Sequence, residues 1–295
     1  MKTITLRFTF LAAIAISTIG CQSGGPQVQI SRERAGELNL QLSGGVAADD
    51  SGLVYLTTST TVMCYKPGPN RMENLLIDSC SDIRDVAVTS EGVVLVLRQR
   101  QLSACMAGYL VSLYPLSEDG IAVSCEREFA YVLTARGQGA RLLRICLSGS
   151  DKGTQQTVLT TEDRPQALCA VRGGCLVASG GNVVKVLDPV PTAENPNGEV
   201  ATVLLAAIQE PITSVVADQK KLIVYFAAAD ATYAWIQGQV VPIFPAGSRL
   251  AWAKDTLSIC RPSPSASQMI QIPSASKYTT DLLKQLDKGH PGERS

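Results

Sequence analysis

Val46-Ala47-Ala48-Asp49-Asp50-Ser51-Gly52-Leu53-Val54-Tyr55-Leu56 reads as an apolar strand, a tight polar turn and a second apolar strand. The pattern returns in Val86-Ala87-Val88-Thr89-Ser90-Glu91-Gly92-Val93-Val94-Leu95-Val96-Leu97. Four further copies follow: 122–124 leading to 129–133, 167–171 with 175–178, 214–217 with 222–226, and 250–253 with 257–260. The copies recur every ~35 to 47 residues, the range of propeller blades and similar arrays. Each is almost wholly apolar, as strands covered on both faces must be. Asp-Asp-Ser-Gly and Ser-Glu-Gly supply turns tight enough to make each pair a hairpin.

The second half of each unit is more polar and alternates, as in 61–65 with 74–77, 142–146 with 157–159, 183–187 with 201–205, and 232–236 with 240–243. Four strands per unit, the inner pair more buried than the outer, predict an all-β fold: a six-bladed β-propeller of four-stranded blades. A two-sheet sandwich accommodates equal repeats of four strands less well. The last unit holds three strands, ending in 267–272. Its missing outer strand is expected from residues 38–42, which alternate at period two, so that the ring closes without a free inner edge. A short C-terminal helix is expected over 279–287, with Leu282, Leu283 and Leu286 on one face.

The N-terminus reads as an export signal over residues 1–20. Lys2 and Arg7 precede an uncharged apolar run, Phe8 to Ile19, and then Gly20 and Cys21. That run is shorter than the ~20 residues a spanning helix needs. Ser17-Thr18-Ile19-Gly20-Cys21 resembles the bacterial lipobox, with Thr18 departing from the usual leucine. The resemblance implies lipidation at Cys21 and a membrane anchor through N-terminal acyl chains. Residues 21–35 then form a flexible tether, 36–275 the propeller, and 276–295 the helix and a loose tail. Gln22 resembles the outer-membrane sorting pattern, which places the protein on the periplasmic face of the outer membrane.

Lysine plus arginine (26) equals aspartate plus glutamate (26), which argues against a nucleic-acid partner. The single histidine, His290, excludes a His-based triad or a multi-His metal site. Of nine cysteines, Cys21 is assigned to lipid. The remainder, in an exported protein and with no C-x-x-C, lead us to expect at least one disulfide of unassigned pairing. Buried free thiols are the alternative.

Loops on one face of a propeller ring the channel. Here they hold Arg84, Arg98, Arg100, Arg136, Arg164, Arg249 and Arg261, candidates for binding carboxylate or phosphate groups through planar bidentate donors. They also hold Asp82, Asp85, Glu118, Asp119, Glu162, Asp163 and Glu210, candidates for a calcium site. No phosphate loop or nucleophile elbow is present.

The repeated strand-turn-strand pattern over 40–275 resembles NHL-type and gluconolactonase-type six-bladed propellers. In the lactonase-like family acidic and amide side chains hold a metal in the channel. This chain has acids there but no asparagine in its inner first strands. The expectation is therefore a non-catalytic envelope module, without cofactor, that binds an envelope protein or polymer. The alternative is a calcium-dependent lactonase or hydrolase. A third reading makes the proline-rich loop of 188–199 a partner contact in an envelope assembly.

Overall fold

In a computed structural model of the chain, the described residues are 34–38, 42, 44–67, 69, 71–78, 82–189, 198, 200–229, 231–245, 248–261 and 267–289. Residues 1–20, expected to be an export signal, together with Cys21, Cys80, Asp230, His290 and most of the 188–199 loop, lie outside them.

The first strand, β1 (Arg34–Leu38), stands apart from the blade that follows it. Blade 1 is β2 (Val46–Ala48), β3 (Val54–Thr57), β4 (Thr61–Lys66) and β5 (Arg71–Ile77). Blade 2 is β6 (Ile83–Val88), β7 (Val94–Arg98), β8 (Gln101–Met106) and β9 (Tyr109–Pro115). Blade 3 is β10 (Gly120–Glu126), β11 (Phe129–Arg136), β12 (Gly139–Cys146) and β13 (Gln155–Thr161). Blade 4 is β14 (Ala167–Val171), β15 (Gly174–Ser179), β16 (Asn182–Leu187) and β17 (Thr202–Ala207). Blade 5 is β18 (Ser214–Asp218), β19 (Ile223–Ala227), β20 (Ala231–Ile236) and β21 (Gln239–Pro245). Blade 6 is β22 (Arg249–Ala253), β23 (Thr256–Arg261) and β24 (Ser267–Pro273), and the chain ends in α1 (Ala275–Gly289).

Each blade is an antiparallel meander of four strands, and the fourth strand of blade 6 is β1, paired with β24. Closure therefore uses the N-terminus as expected, but through residues 34–38, with Arg34 opposite Gln271 and Leu38 opposite Ser267. Of the stretch 38–42 expected in that place, Leu38 pairs with Ser267 and the Leu42 N–H reaches the Ser267 hydroxyl at 3.5 Å, while 39–41 lie outside the described residues.

The strand-turn-strand repeat has a local cause. In blade 1 the Asp49 carboxylate accepts the Ser51 and Leu53 N–H groups at 2.8 and 3.0 Å, and Gly52 takes a positive φ of 91°. In blade 2 the Thr89 hydroxyl accepts the Val93 N–H at 3.1 Å, and Gly92 has φ 79°. Two different side chains thus cap the same turn, which glycine alone completes without strain.

Six apolar clusters hold the ring, one between each pair of neighbouring blades. Tyr55, Val62 and Leu76 meet Ile83, Val86 and Val96 between blades 1 and 2, and the other interfaces follow the same plan. The second strands β3 and β19 are buried along their whole length, whereas outer strands such as β9 are largely exposed. The core is therefore shared between blades, and no single blade has a core of its own.

The helix is longer than expected and begins earlier. Ser276 N–H donates to the Asp255 carboxylate at 3.2 Å, and the Ser276 hydroxyl donates to buried Asp218 at 2.5 Å. Leu283 joins the cluster between blades 5 and 6, Leu282 packs against it, and Leu286 stays exposed. No described helix is long and apolar enough to cross a membrane.

The seven described cysteines are all free thiols: Cys64, Cys105, Cys125, Cys146, Cys169, Cys175 and Cys260. The disulfide expectation thus finds no pair among the described residues, and these thiols serve as small apolar side chains. Burial pushes the Cys169 and Cys260 thiols up to about 12, so both stay protonated.

Candidate functional site

The six inner strands β2, β6, β10, β14, β18 and β22 surround a cavity of about 700 Å³. They are inner edges, so their outward backbone groups need partners. Three side chains supply them across blade boundaries. Asp85 Oδ2 accepts the Val123 N–H at 2.8 Å, Ser124 Oγ the Ala170 N–H at 2.8 Å, and Ser214 Oγ the Leu250 N–H at 2.9 Å.

Asp85 stands out among these. Its other oxygen accepts the Val86 N–H at 2.9 Å. Burial raises its carboxyl to about 6, against the opposing pull of the Val123 N–H, the Arg249 charge and the Val86 N–H. Its place is made by an absence on the neighbouring blade. A Cβ added to Gly45 would lie 1.4 Å from Asp85 Oδ1, and one added to Gly44 would lie 2.1 Å from Thr57 Oγ1. Blade 1 therefore offers no side chain at this level, and Arg249 on blade 6 acts on Asp85 on blade 2 across it.

Arg84, Arg164 and Arg249 line the same cavity. Arg84 lies in β6, Arg164 in the connection into β14, and Arg249 opens β22, so they come from blades 2, 4 and 6. Arg249 Nη1 donates to the Thr213 carbonyl at 3.1 Å. Among the described residues none of the three has an acidic group within ion-pair distance. The inner strands run the same way, so the other end of the cavity carries their far ends: Asp49, Asp50, Glu126 and Arg127. There Gln219 accepts the Arg172 N–H at 2.8 Å and donates to Glu126 at 3.0 Å, tying blades 3, 4 and 5 together.

The remaining candidates lie elsewhere. Asp82 pairs with Arg98 at 2.8 Å, and Asp119 with Arg100 at 2.8 Å. Glu118 pairs with Arg141 at 3.2 Å and accepts the Thr134 hydroxyl at 2.9 Å. Arg136, Arg261, Glu162, Asp163 and Glu210 are exposed and do not line the cavity. Of the seven acids considered for calcium, only Asp85 reaches the channel. The polar residues that reasoning from sequence passed over there are Ser124, Thr213 and Ser214, together with Gly45. The Gly44-Gly45 pair ahead of the first strand was the available signal.

This donor set does not fit a calcium ion. Calcium takes six to eight oxygens, whereas among the described residues no group of three or more acidic, histidine or cysteine side chains converges. Both Asp85 oxygens already accept backbone N–H groups.

No family model and no curated protein matches the sequence. Solved structures do match in shape. A gluconolactonase from Xanthomonas campestris superposes with TM-score 0.67 at 12% identity, covering 83% of this chain and 91% of that one. A second propeller assigned to the gluconolactonases gives 0.63 at 11%, covering 81% and 92%. A calcium-binding protein, regucalcin, from Agrobacterium tumefaciens gives 0.59 at 11%, covering 81% and 95%. These likenesses define the fold as a six-bladed propeller of the gluconolactonase and regucalcin shape. They also run against the expectation of a non-catalytic binding scaffold, since the neighbours in shape are described as gluconolactonases and a calcium-binding regucalcin.

Proposed function

We propose that this chain is a hydrolase of small cyclic esters, a lactonase-type propeller, with Asp85 as general base in the channel. The observation that carries the reading is a carboxyl raised to about 6 on the wall of the channel, within the field of Arg249. A base poised near the working pH is what proton abstraction from water requires, and perturbed carboxyls in clefts mark functional sites. Asp85 takes a proton from water, and the resulting hydroxide adds to the ester carbonyl carbon. The ring C–O bond then breaks, and the leaving alkoxide oxygen takes the proton back from Asp85. The positive field of the arginine end offsets the negative charge on the former carbonyl oxygen. Calcium has no part in these steps.

Five- and six-membered lactones, assayed by acid release with the purified propeller, test this directly. Asp85→Asn is expected to lower turnover at least about a hundredfold and to keep a cooperative thermal melt, at a cost of roughly 1 kcal/mol for the acceptor the amide lacks. EDTA is expected to leave the rate unchanged. Full activity in Asp85→Asn, or a strict calcium requirement, would overturn the assignment.

We also propose that Cys21 carries lipid and tethers the propeller to the periplasmic face of the outer membrane. The support is the order of charge, apolar run, Gly20 and Cys21. Incorporation of labelled palmitate that disappears in Cys21→Ala is the expected result; incorporation that persists would exclude this site.

A further inference from the structure

We infer that the arginine-lined mouth of the channel selects a small molecule bearing at least two carboxylate groups. The inference rests on the channel being the substrate site and narrows the substrate to a lactone that is also a polycarboxylic acid.

The first argument is the charge left over. On the same face Arg98, Arg100 and Arg141 are neutralised by Asp82, Asp119 and Glu118. Arg84, Arg164 and Arg249 face one cavity without an ion-pair partner among the described residues. Among the described residues lining the cavity, the only carboxylate at their end is Asp85, and its oxygens are engaged by Val86 and Val123. Arg249 feels the charge of Asp85 and Arg84 that of Asp119 only through space, so a neutral sugar lactone would leave all three guanidinium groups without a direct ion pair, and a monocarboxylate would supply one.

The second argument is spacing. The three arginines come from blades 2, 4 and 6 and so surround the mouth, which matches a ligand presenting anionic groups in several directions better than a single anion. Arg249 is half-buried and held by the Thr213 carbonyl, so part of its ordering cost is met before binding.

The third argument is polarity along the channel. Asp49, Asp50 and Glu126 stand at the far end with one arginine, Arg127, which pairs with Glu126 at 3.8 Å, so the far end keeps an acidic excess and an anion is drawn to the arginine end. Such a ligand holds its carboxylates at the arginine end, where its neutral ester lies near Asp85.

Titration calorimetry at low salt tests this with tricarballylate, glutarate, butyrate and glucose as probes. Affinity is expected to fall about tenfold for each carboxylate removed, with glucose not binding. Arg84→Gln, Arg164→Gln and Arg249→Gln should each weaken tricarballylate about tenfold and flatten its salt dependence. Arg100→Gln should change neither. The matching lysine variants, with thermal melts, separate loss of the planar fork from loss of fold, and should bind with intermediate affinity. Failure of tricarballylate to bind, or binding indifferent to the three substitutions, overturns the inference. So does displacement of tricarballylate by equimolar inorganic phosphate, which would assign the site to phosphate. Tricarballylate binding without turnover of any lactone would sink the hydrolase reading and leave this one standing. Turnover of neutral lactones with KM unmoved by the arginine variants would do the reverse.

Discussion

Two rings of charge lie on one face of this propeller, and their chemistry differs. In the outer ring acids and arginines from blades 2 and 3 and their connections find each other: Arg98 with Asp82, Arg100 with Asp119, Arg141 with Glu118. In the inner ring Arg84, Arg164 and Arg249 project into the cavity from separate blades and keep their charge. The residue types are the same in both. What differs is the distance each charge stands from the axis. Outer loops run alongside each other, so opposite charges meet; inner strands stand around an open cavity, so their charges face a ligand.

The sharpest test of this contrast is Gly45→Ala, which drives a methyl group into the Asp85 carboxylate. We expect a stability loss of roughly 1–3 kcal/mol in chemical denaturation, together with lactonase activity as low as in Asp85→Asn. A stable and active Gly45→Ala protein would separate Asp85 from the chemistry. Next comes pH. The base must be ionised, so kcat/KM should be flat above a limb near 6 and about tenfold lower at pH 5. The same raised carboxyl binds its proton more tightly in the folded than in the unfolded chain. Its contribution to stability therefore falls as pH rises from about 4 through 6, and urea midpoints of wild type and Asp85→Asn should diverge across that window.

The outer ring should answer only in stability. Arg98→Ala leaves half-buried Asp82 without its guanidinium and should cost roughly 1 kcal/mol while leaving turnover unchanged. A fall in turnover there would merge the two rings. Smallest of all, Arg100→Ala removes an exposed, solvent-screened pair and should leave the midpoint of chemical denaturation unmoved.

The blades were legible in the sequence because their inner hairpins are apolar on both faces and punctuated by Asp49 with Gly52 and by Thr89 with Gly92. Those are local signals. The closing strand was misplaced by four residues because its pairing with β24 joins residues more than two hundred positions apart, and period-two alternation alone does not fix a register. The start of the helix was missed because the groups that hold it, Asp255 and Asp218, lie on blades 6 and 5. The site divides the same way. Arginines and acids in loops could be named from sequence, but which of them neutralise each other depends on loops that meet only when folded. Gly44 and Gly45 drew no reading from the sequence. Their use, an empty place beside a carboxylate from the next blade, exists only in the closed ring.

That ring closes by pairing Arg34 with Gln271 and Leu38 with Ser267. If Cys21 is anchored, the strand nearest the membrane is among the first parts of the mature chain to cross and must wait for the last blade to cross before it can pair. Closing so long a loop is slow, since its entropy must be lost before any contact repays it. Until then the cluster between blades 6 and 1 stays open to water. An export chaperone would find its binding surface there, and a truncation at either end of the chain would leave the same seam unsealed.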